Sequence, residues 1–199
     1  MLIAFCGIDG TGKSSHHENI TEWLMEQTPK VESFNPIKDN EVYFQSFLEI
    51  TRDYKEKYKR PIEDSVEGIL LGFELFRKNR EVEEMLKNGS IVVVDRWVYS
   101  HYAYSYARQA ENELLFLMLE KCRKPDLVFL LDVSVDIALE RIDKRGARSL
   151  NEDQNILQKA REKYLMMAQE NDFIIIDSTN SFEDNQKIIK ECILKKIIG

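Results

Sequence analysis

Cysteine is scarce: three residues in 199, at positions 6, 122 and 192. They are odd in number and far apart. No C-x-x-C pair or Cys/His cluster accompanies them, which argues against a disulfide framework or a zinc site and for a reducing, cytoplasmic setting. Basic charge is also in short supply. The 28 Lys and Arg stand against 35 Asp and Glu, a net charge of −7. Displacing counterions from nucleic acid needs a cationic surplus, so no nucleic-acid partner is expected. A small anionic substrate stays open, because a few local cations can build a positive pocket in an acidic protein. No run of about 18 apolar residues occurs, so neither a transmembrane helix nor a membrane partner is expected. The opening Met1-Leu2-Ile3-Ala4-Phe5-Cys6-Gly7 lacks the basic region and cleavage site of a signal peptide. No repeat, low-complexity tract or linker divides the chain, and residues 1–199 read as one domain. A chain of this size buries roughly 70% of its unfolded surface without help from a metal or disulfide.

Short apolar runs alternate with helical patterns. Strands are expected at Leu2–Cys6, Val31–Phe34, Ile91–Asp95, Leu127–Asp132 and 173–177. The β-branched run Ile91-Val92-Val93-Val94 indicates burial on both faces, as in a parallel sheet. Helices are expected over Lys13–Gln27, 42–58, 65–87, 111–122, Val135–Arg145, 152–171 and Phe182–Ile198, with a polar, tyrosine-rich segment running to Arg108 after the third strand. Alternation of this kind predicts a three-layer α/β fold around a five-stranded parallel sheet, ordered 2-3-1-4-5.

The first strand runs into Gly7-Ile8-Asp9-Gly10-Thr11-Gly12-Lys13-Ser14, which fits G-x-x-x-x-G-K-[ST] between a strand and a helix. Glycines let such a loop aim backbone N–H groups at phosphate oxygens, and the helix N-terminus adds positive charge. Lys13 reaches the β- and γ-phosphates of a nucleoside triphosphate, and the Ser14 hydroxyl is placed for Mg²⁺. Asp9 is unusual in a phosphate loop. It is either solvated or paired with Lys13 or an arginine, or it accepts a hydrogen bond from the hydroxyl of an acceptor sugar. His16 and His17 are adjacent rather than one helical turn apart, so they read as structural or surface residues, not as a metal pair.

Asp95 closes the third strand, at the sheet edge where ligands of open α/β folds bind. It can hold Mg²⁺ through water, and Arg96 can reach a phosphate; a plain strand-end salt bridge between the two is the bland alternative.

The combination resembles the thymidylate kinases, P-loop nucleoside monophosphate kinases. Gly7 to Ser15 follow G-x-[ED]-G-x-G-K-[ST]-[ST], and Asp95 to Tyr104 follow D-R-[YW]-x-x-S-x-x-A-Y. Pro125-Asp126-Leu127, Leu131-Asp132 and the R-x-x-x-R-G run from Arg141 to Gly146 also match. The resemblance implies transfer from ATP to a nucleoside monophosphate, dTMP above all, with Mg²⁺ and commonly as a homodimer. It assigns ATP to Gly7, Gly10, Thr11, Gly12, Lys13, Ser14, Ser15 and Arg141, and Mg²⁺ to Ser14 and Asp95. On the acceptor side it implies Asp9 at the sugar or phosphate and Arg96 at the acceptor phosphate. Phe73 or Phe76 would stack on the base, with Arg80 at the base edge and Ser100 and Tyr104 along the nucleoside. A Phe stripe at helical spacing is equally well a core stripe.

A lid is expected at about 142–155, where Arg145 and Arg148 would stabilise the transferring group, as loop arginines do in phosphoryl transfer. A solvated basic helix end is the simpler reading of these charges. In the family such an arginine comes either from the phosphate loop or from the lid; the loop here offers Gly10, so the resemblance implies the lid-arginine kind. Arg161 also fits the family pattern. Three departures touch the acceptor side. Phe34-Asn35-Pro36 stands where the family has R-E-P, leaving Lys38 as a substitute cation; Tyr104-Ser105 lacks the glutamine of A-Y-Q; and the stretch from Arg80 to Asp95 is short. Two alternatives accompany the monophosphate kinase: a deoxynucleoside kinase, disfavoured because no glutamate precedes Pro36, and a nucleotide-binding protein that has lost its acceptor site.

Overall fold

Every residue of the strand Leu2–Cys6 (β1) is buried, because this strand lies at the centre of the sheet with covering layers on both faces. Val31–Phe34 (β2), Ile91–Asp95 (β3), Leu127–Asp132 (β4) and Ile174–Asp177 (β5) complete a parallel sheet in the order β2-β3-β1-β4-β5. The register is continuous: Ile3 lies opposite Val93 on one side and Leu127 on the other, and Phe34 lies opposite Val94. This computed structural model describes residues 1–36, 49, 52, 56, 57, 64–146 and 152–198. Lys38, Arg148, the centre of the expected lid and all of the helix expected over 42–58 except residues 49, 52, 56 and 57, which are helical, lie outside them.

Seven helices flank the sheet among the described residues: α1 (Lys13–Gln27), α2 (Asp64–Lys87), α3 (Val98–Ala107), α4 (Glu113–Lys121), α5 (Val135–Arg145), α6 (Gln154–Glu170) and α7 (Phe182–Ile198). Strand side chains alternate between two cores. Ile3, Phe5, Val93, Phe129 and Leu131 pack on Ile20 and Leu24 of α1 and on Ile189 and Ile193 of α7. Leu2, Ala4, Val92, Val94 and Leu130 pack on the opposite layer, which includes Leu75, Ala103, Leu115, Ala138 and Tyr164. Helix starts follow the local chemistry. The Asn112 side chain accepts from the N–H groups of Leu114 and Leu115, and Asp153 does the same for Asn155 and Ile156.

One element differs from the sequence reading. Residues 98–107, assigned neither helix nor strand from the sequence, form a helix. Four tyrosines lower its intrinsic helix preference, but Ser100, Ala103 and Ala107 form a small-residue face buried against the core, and tertiary packing outweighs propensity. Its C-terminus also shows local strain. Helices α2 and α3 both end in the same paired hydrogen-bond motif: Ser90 N–H to Met85 O with Gly89 N–H to Leu86 O, and Ala110 N–H to Ser105 O with Gln109 N–H to Tyr106 O. The motif needs a left-handed residue, supplied by Gly89 at φ 80° but by Gln109 at φ 55°. Gln109→Gly is therefore expected to stabilise the fold by about 1 kcal/mol, raising the melting temperature by roughly 2–4 °C in a thermal melt. An unchanged or lower melting temperature would contradict this account of the turn.

Candidate phosphoryl-transfer site

The loop between β1 and α1 lies at the carboxyl edge of the sheet. Helix α1 begins at Gly12, in the left-handed region, with no side-chain cap and no acidic residue in its first turn. Its leading N–H groups are left for an anion. Gly10, at φ 84°, packs on α5 so tightly that a Cβ would lie 2.4 Å from the Ala138 carbonyl oxygen. No arginine fits there, which is a structural reason for the loop's lack of one.

Lys13 is buried. Its Nζ donates to the Ile8 carbonyl at 2.7 Å and lies 3.8 Å from Asp9 Oδ1. Burial, aided by the nearby Arg96 charge, pulls the ammonium down to about 8 against the opposing pull of Asp9 and Asp95. The Thr11 hydroxyl donates to the same Ile8 carbonyl at 2.9 Å, while Ser15 is exposed. Ser14 Oγ donates to Asp95 Oδ2 at 2.7 Å. The other carboxylate oxygen of Asp95 is buried without a hydrogen-bond partner. An orphaned carboxylate oxygen beside a serine hydroxyl is a donor set suited to a hard divalent cation.

Arg96 follows β3 at φ 75°, a conformation rare for a residue with a side chain. Its N–H continues the sheet ladder by donating to Phe5 O at 3.0 Å, which holds the strained turn in place. The guanidinium is thereby directed over the phosphate loop. Nη2 donates to Asp9 Oδ1 at 2.5 Å, and Nη1 donates to Gly7 O at 3.3 Å and to the Tyr164 hydroxyl at 3.5 Å. The Tyr104 ring lies 5.2 Å beneath it, with the Tyr104 hydroxyl donating to Asp9 Oδ2 at 3.2 Å. Tyr164 in turn donates to Ser100 Oγ at 2.7 Å. Asp9 is thus paired with both cations, and the Arg96–Asp95 salt bridge is not the pairing found.

Burial alone would raise the Asp9 carboxyl. The Arg96 and Lys13 charges and the hydrogen bonds from Arg96 and Tyr104 outweigh it and hold the group well below the usual carboxylate range. A depressed folded value stabilises the fold above the unfolded value of 3.8, and that contribution is lost as the pH falls below it. Asp9→Asn is expected to flatten this part of the acid unfolding curve. An identical loss of stability in the variant between pH 5 and pH 3, followed by circular dichroism, would show that Asp9 is not the group responsible.

The remaining arginines divide. Arg141 spans two loops, donating to Gly10 O at 3.3 Å and to Ser178 O at 2.7 Å. Arg145 is exposed and ion-paired with the buried carboxylate of Glu152, across the base of the expected lid. Arg161 makes two bonds to Asp132, at 2.7 and 2.8 Å. His16 and His17 are buried. His16 bonds to Gln186 at 2.8 Å and stacks on Phe182, and His17 approaches Ser33 Oγ at 3.0 Å, so both are structural.

Phe73, Phe76 and Arg80 lie on α2 with their side chains exposed. Two other α2 side chains reach towards α3 and β2: Glu67 accepts from Arg108 at 3.2 Å, and Lys78 Nζ lies 4.8 Å from the centre of the Phe34 ring. At roughly 100° per residue, Phe73 lies about 240° round the helix from Glu67. Sequence reasoning missed Tyr164 and Glu152, which meet Arg96 and Arg145. Tyr164 sits in the apolar stripe Leu157, Ala160, Tyr164, Met167, which signals core and says nothing of where its hydroxyl ends.

The family model described as Thymidylate kinase matches residues 5–189. The chain belongs to the thymidylate kinase family. Among its relatives, a probable thymidylate kinase of Archaeoglobus fulgidus is 34% identical over 97% of this chain and 94% of the relative. One of Methanosarcina barkeri is 30% identical over 99% and 95%, and probable thymidylate kinase 1 of Saccharolobus solfataricus is 28% identical over 96% and 94%. The sheet order expected from the sequence, 2-3-1-4-5, is the order found. No described helix is long and apolar enough to cross a membrane.

Proposed function

We propose that this thymidylate kinase family member transfers the γ-phosphoryl group of ATP to dTMP, yielding ADP and dTDP. The observation that carries this reading is the Asp9–Arg96 pair above the phosphate loop. A nucleoside hydroxyl acceptor needs a base to remove its proton. Asp9 is the carboxylate bonded to Arg96, and its depressed proton affinity makes it a poor base. A phosphate oxygen is already anionic and needs none. An oxygen of the dTMP phosphate attacks the γ-phosphorus, the bond to the β–γ bridging oxygen breaks, and ADP departs with that electron pair.

Within that scheme Lys13 and the α1 N-terminus hold the β- and γ-phosphates, with Gly7, Gly10, Thr11, Gly12 and Ser15 shaping the loop. Arg96 holds the acceptor phosphate against the transferring group, and Asp9 and Tyr104 orient Arg96 and meet the acceptor sugar. Ser14 and Asp95 would hold Mg²⁺, whose charge would offset that of the phosphates. Arg141 lies between the phosphate loop and Ser178, on the ATP side. A lid over 142–155 carries Arg148, with Arg145 and Glu152 at its base. Exposed Leu70 and Phe73 on α2 and Leu114 and Leu117 on α4 form the apolar face of a homodimer in the cytoplasm. This assigns Phe73 to the dimer and leaves the base to the α2 side facing α3.

The test is ADP release with ATP, Mg²⁺ and a panel of deoxynucleoside monophosphates and nucleosides. Turnover with dTMP but not thymidine is expected. Thymidine-dependent turnover would move the protein to the deoxynucleoside kinases, and ATP binding without any acceptor-dependent turnover would make it a nucleotide-binding protein. Light scattering at micromolar concentration should give twice the chain mass.

A further inference from the structure

The acceptor phosphate brings close to two negative charges into a site whose other anion, the γ-phosphate, already engages Lys13. One guanidinium is little to set against it, since Arg96 also serves Asp9 and Gly7. In the sequence, Phe34 occupies the place of the family's R-E-P arginine. A second cation nonetheless arrives at that place from a different element. Lys78, in the middle of α2, extends over the end of β2 and sets its ammonium 4.8 Å from the centre of the Phe34 ring. Phe34 lies opposite Val94 in the β2–β3 ladder, two residues before Arg96 on the neighbouring strand. Its ring also meets that of Trp97, the residue after Arg96, with centroids 6.4 Å apart.

We propose that Lys78 is the second cation of the acceptor-phosphate site, binding the acceptor's phosphate from the β2 side while Arg96 binds it from the phosphate-loop side. The proposal rests on the monophosphate reading above. Several features suit Lys78 to the role. It is one-fifth exposed, so the stem is packed and the ammonium is not lost to bulk water. Without substrate the ammonium donates to Glu81 at 2.6 Å, one turn along α2. A half-exposed i,i+3 pair of this kind is worth little, so exchanging Glu81 for a phosphate dianion is easy. The ring beneath holds the ammonium at the strand end by cation–π attraction. A point charge without a planar fork grips the phosphate less specifically than arginine, so tolerance of acceptor orientation should be wider here.

The discriminating experiment compares each monophosphate with its own nucleoside, by calorimetry, in the unaltered enzyme and in Lys78→Met, Lys78→Gln and Lys78→Arg. Loss of a charge-assisted contact should weaken monophosphate binding about ten- to a hundredfold in the Met and Gln variants. Nucleoside affinity and the KM for ATP should be unchanged, and Lys78→Arg should restore binding. Parallel weakening of nucleoside and monophosphate, or no weakening of either, would overturn the assignment. Two neutral variants of different polarity guard against one that fails to fold, which a melting curve detects. The parent reading fails separately: unaltered enzyme that turns over another monophosphate but not dTMP sinks the choice of dTMP, while the Lys78 comparison proceeds on that other pair. Binding of no monophosphate by the unaltered enzyme would refute both.

Discussion

Lys13→Ala should reduce phosphoryl transfer by about three orders of magnitude, the scale on which a single preorganised cation or donor acts at a developing charge. The protein should not unfold. The buried ammonium titrates near 8 instead of its ordinary 10.5, so the unfolded chain takes up this proton more readily than the folded one. At neutral pH the charged lysine therefore subtracts from stability, and removing it should leave the melting temperature unchanged or higher. Loss of turnover with a retained or raised melting temperature is the expected pair of results, from a coupled ADP assay and a thermal melt. A variant that retains activity within an order of magnitude would remove Lys13 from the site. One that melts far lower would show that its bond to Ile8 O outweighs the desolvation.

Arg96→Ala should be at least as damaging, with turnover falling by about 10³ to 10⁵, the range over which arginines act in phosphoryl transfer. Two effects combine. The acceptor phosphate loses its guanidinium, and Asp9, 3.8 Å from Lys13, is left with that lysine as its remaining cation. Asp9 should then compete with ATP for Lys13, so the KM for ATP should rise even though Arg96 is assigned to the acceptor. The backbone supplies an internal control. Position 96 has φ 75°, which costs alanine about 1 kcal/mol relative to glycine. Arg96→Gly should therefore melt above Arg96→Ala while being equally inactive. Arg96→Lys restores the charge but not the fork that reaches Asp9, Gly7 and Tyr164 together, so it should recover only part of the rate. Full activity in Arg96→Lys would show that charge alone suffices.

Much of the fold could be read from periodicity. Four strands match their expected bounds, and the fifth starts one residue later; for β1, β3 and β4 the signal is an apolar run without alternation, which marks a strand covered on both faces. Helix 98–107 was not legible, since its signal lay in which of its small residues would be buried, not in its composition. The phosphate loop was legible because its chemistry is local: eight consecutive residues carry the turn, the lysine and the hydroxyl. The acceptor side was not. Phe73, Phe76 and Arg80 fit a motif by spacing, and which of them meets an acceptor depends on how α2 is rotated against α3 and β2.

The amino-acid sequence alone settled the alternation of strands and helices, the phosphate loop and the family, since each is written in short contiguous stretches whose backbone geometry follows from residue type. Only the tertiary structure decided the partners: Asp9 with Arg96 and not Asp95 with it, the Tyr164 hydroxyl at the arginine, and Lys78 over Phe34. These contacts join residues tens of positions apart, and their distances are set by sheet order and helix rotation, which no local pattern encodes.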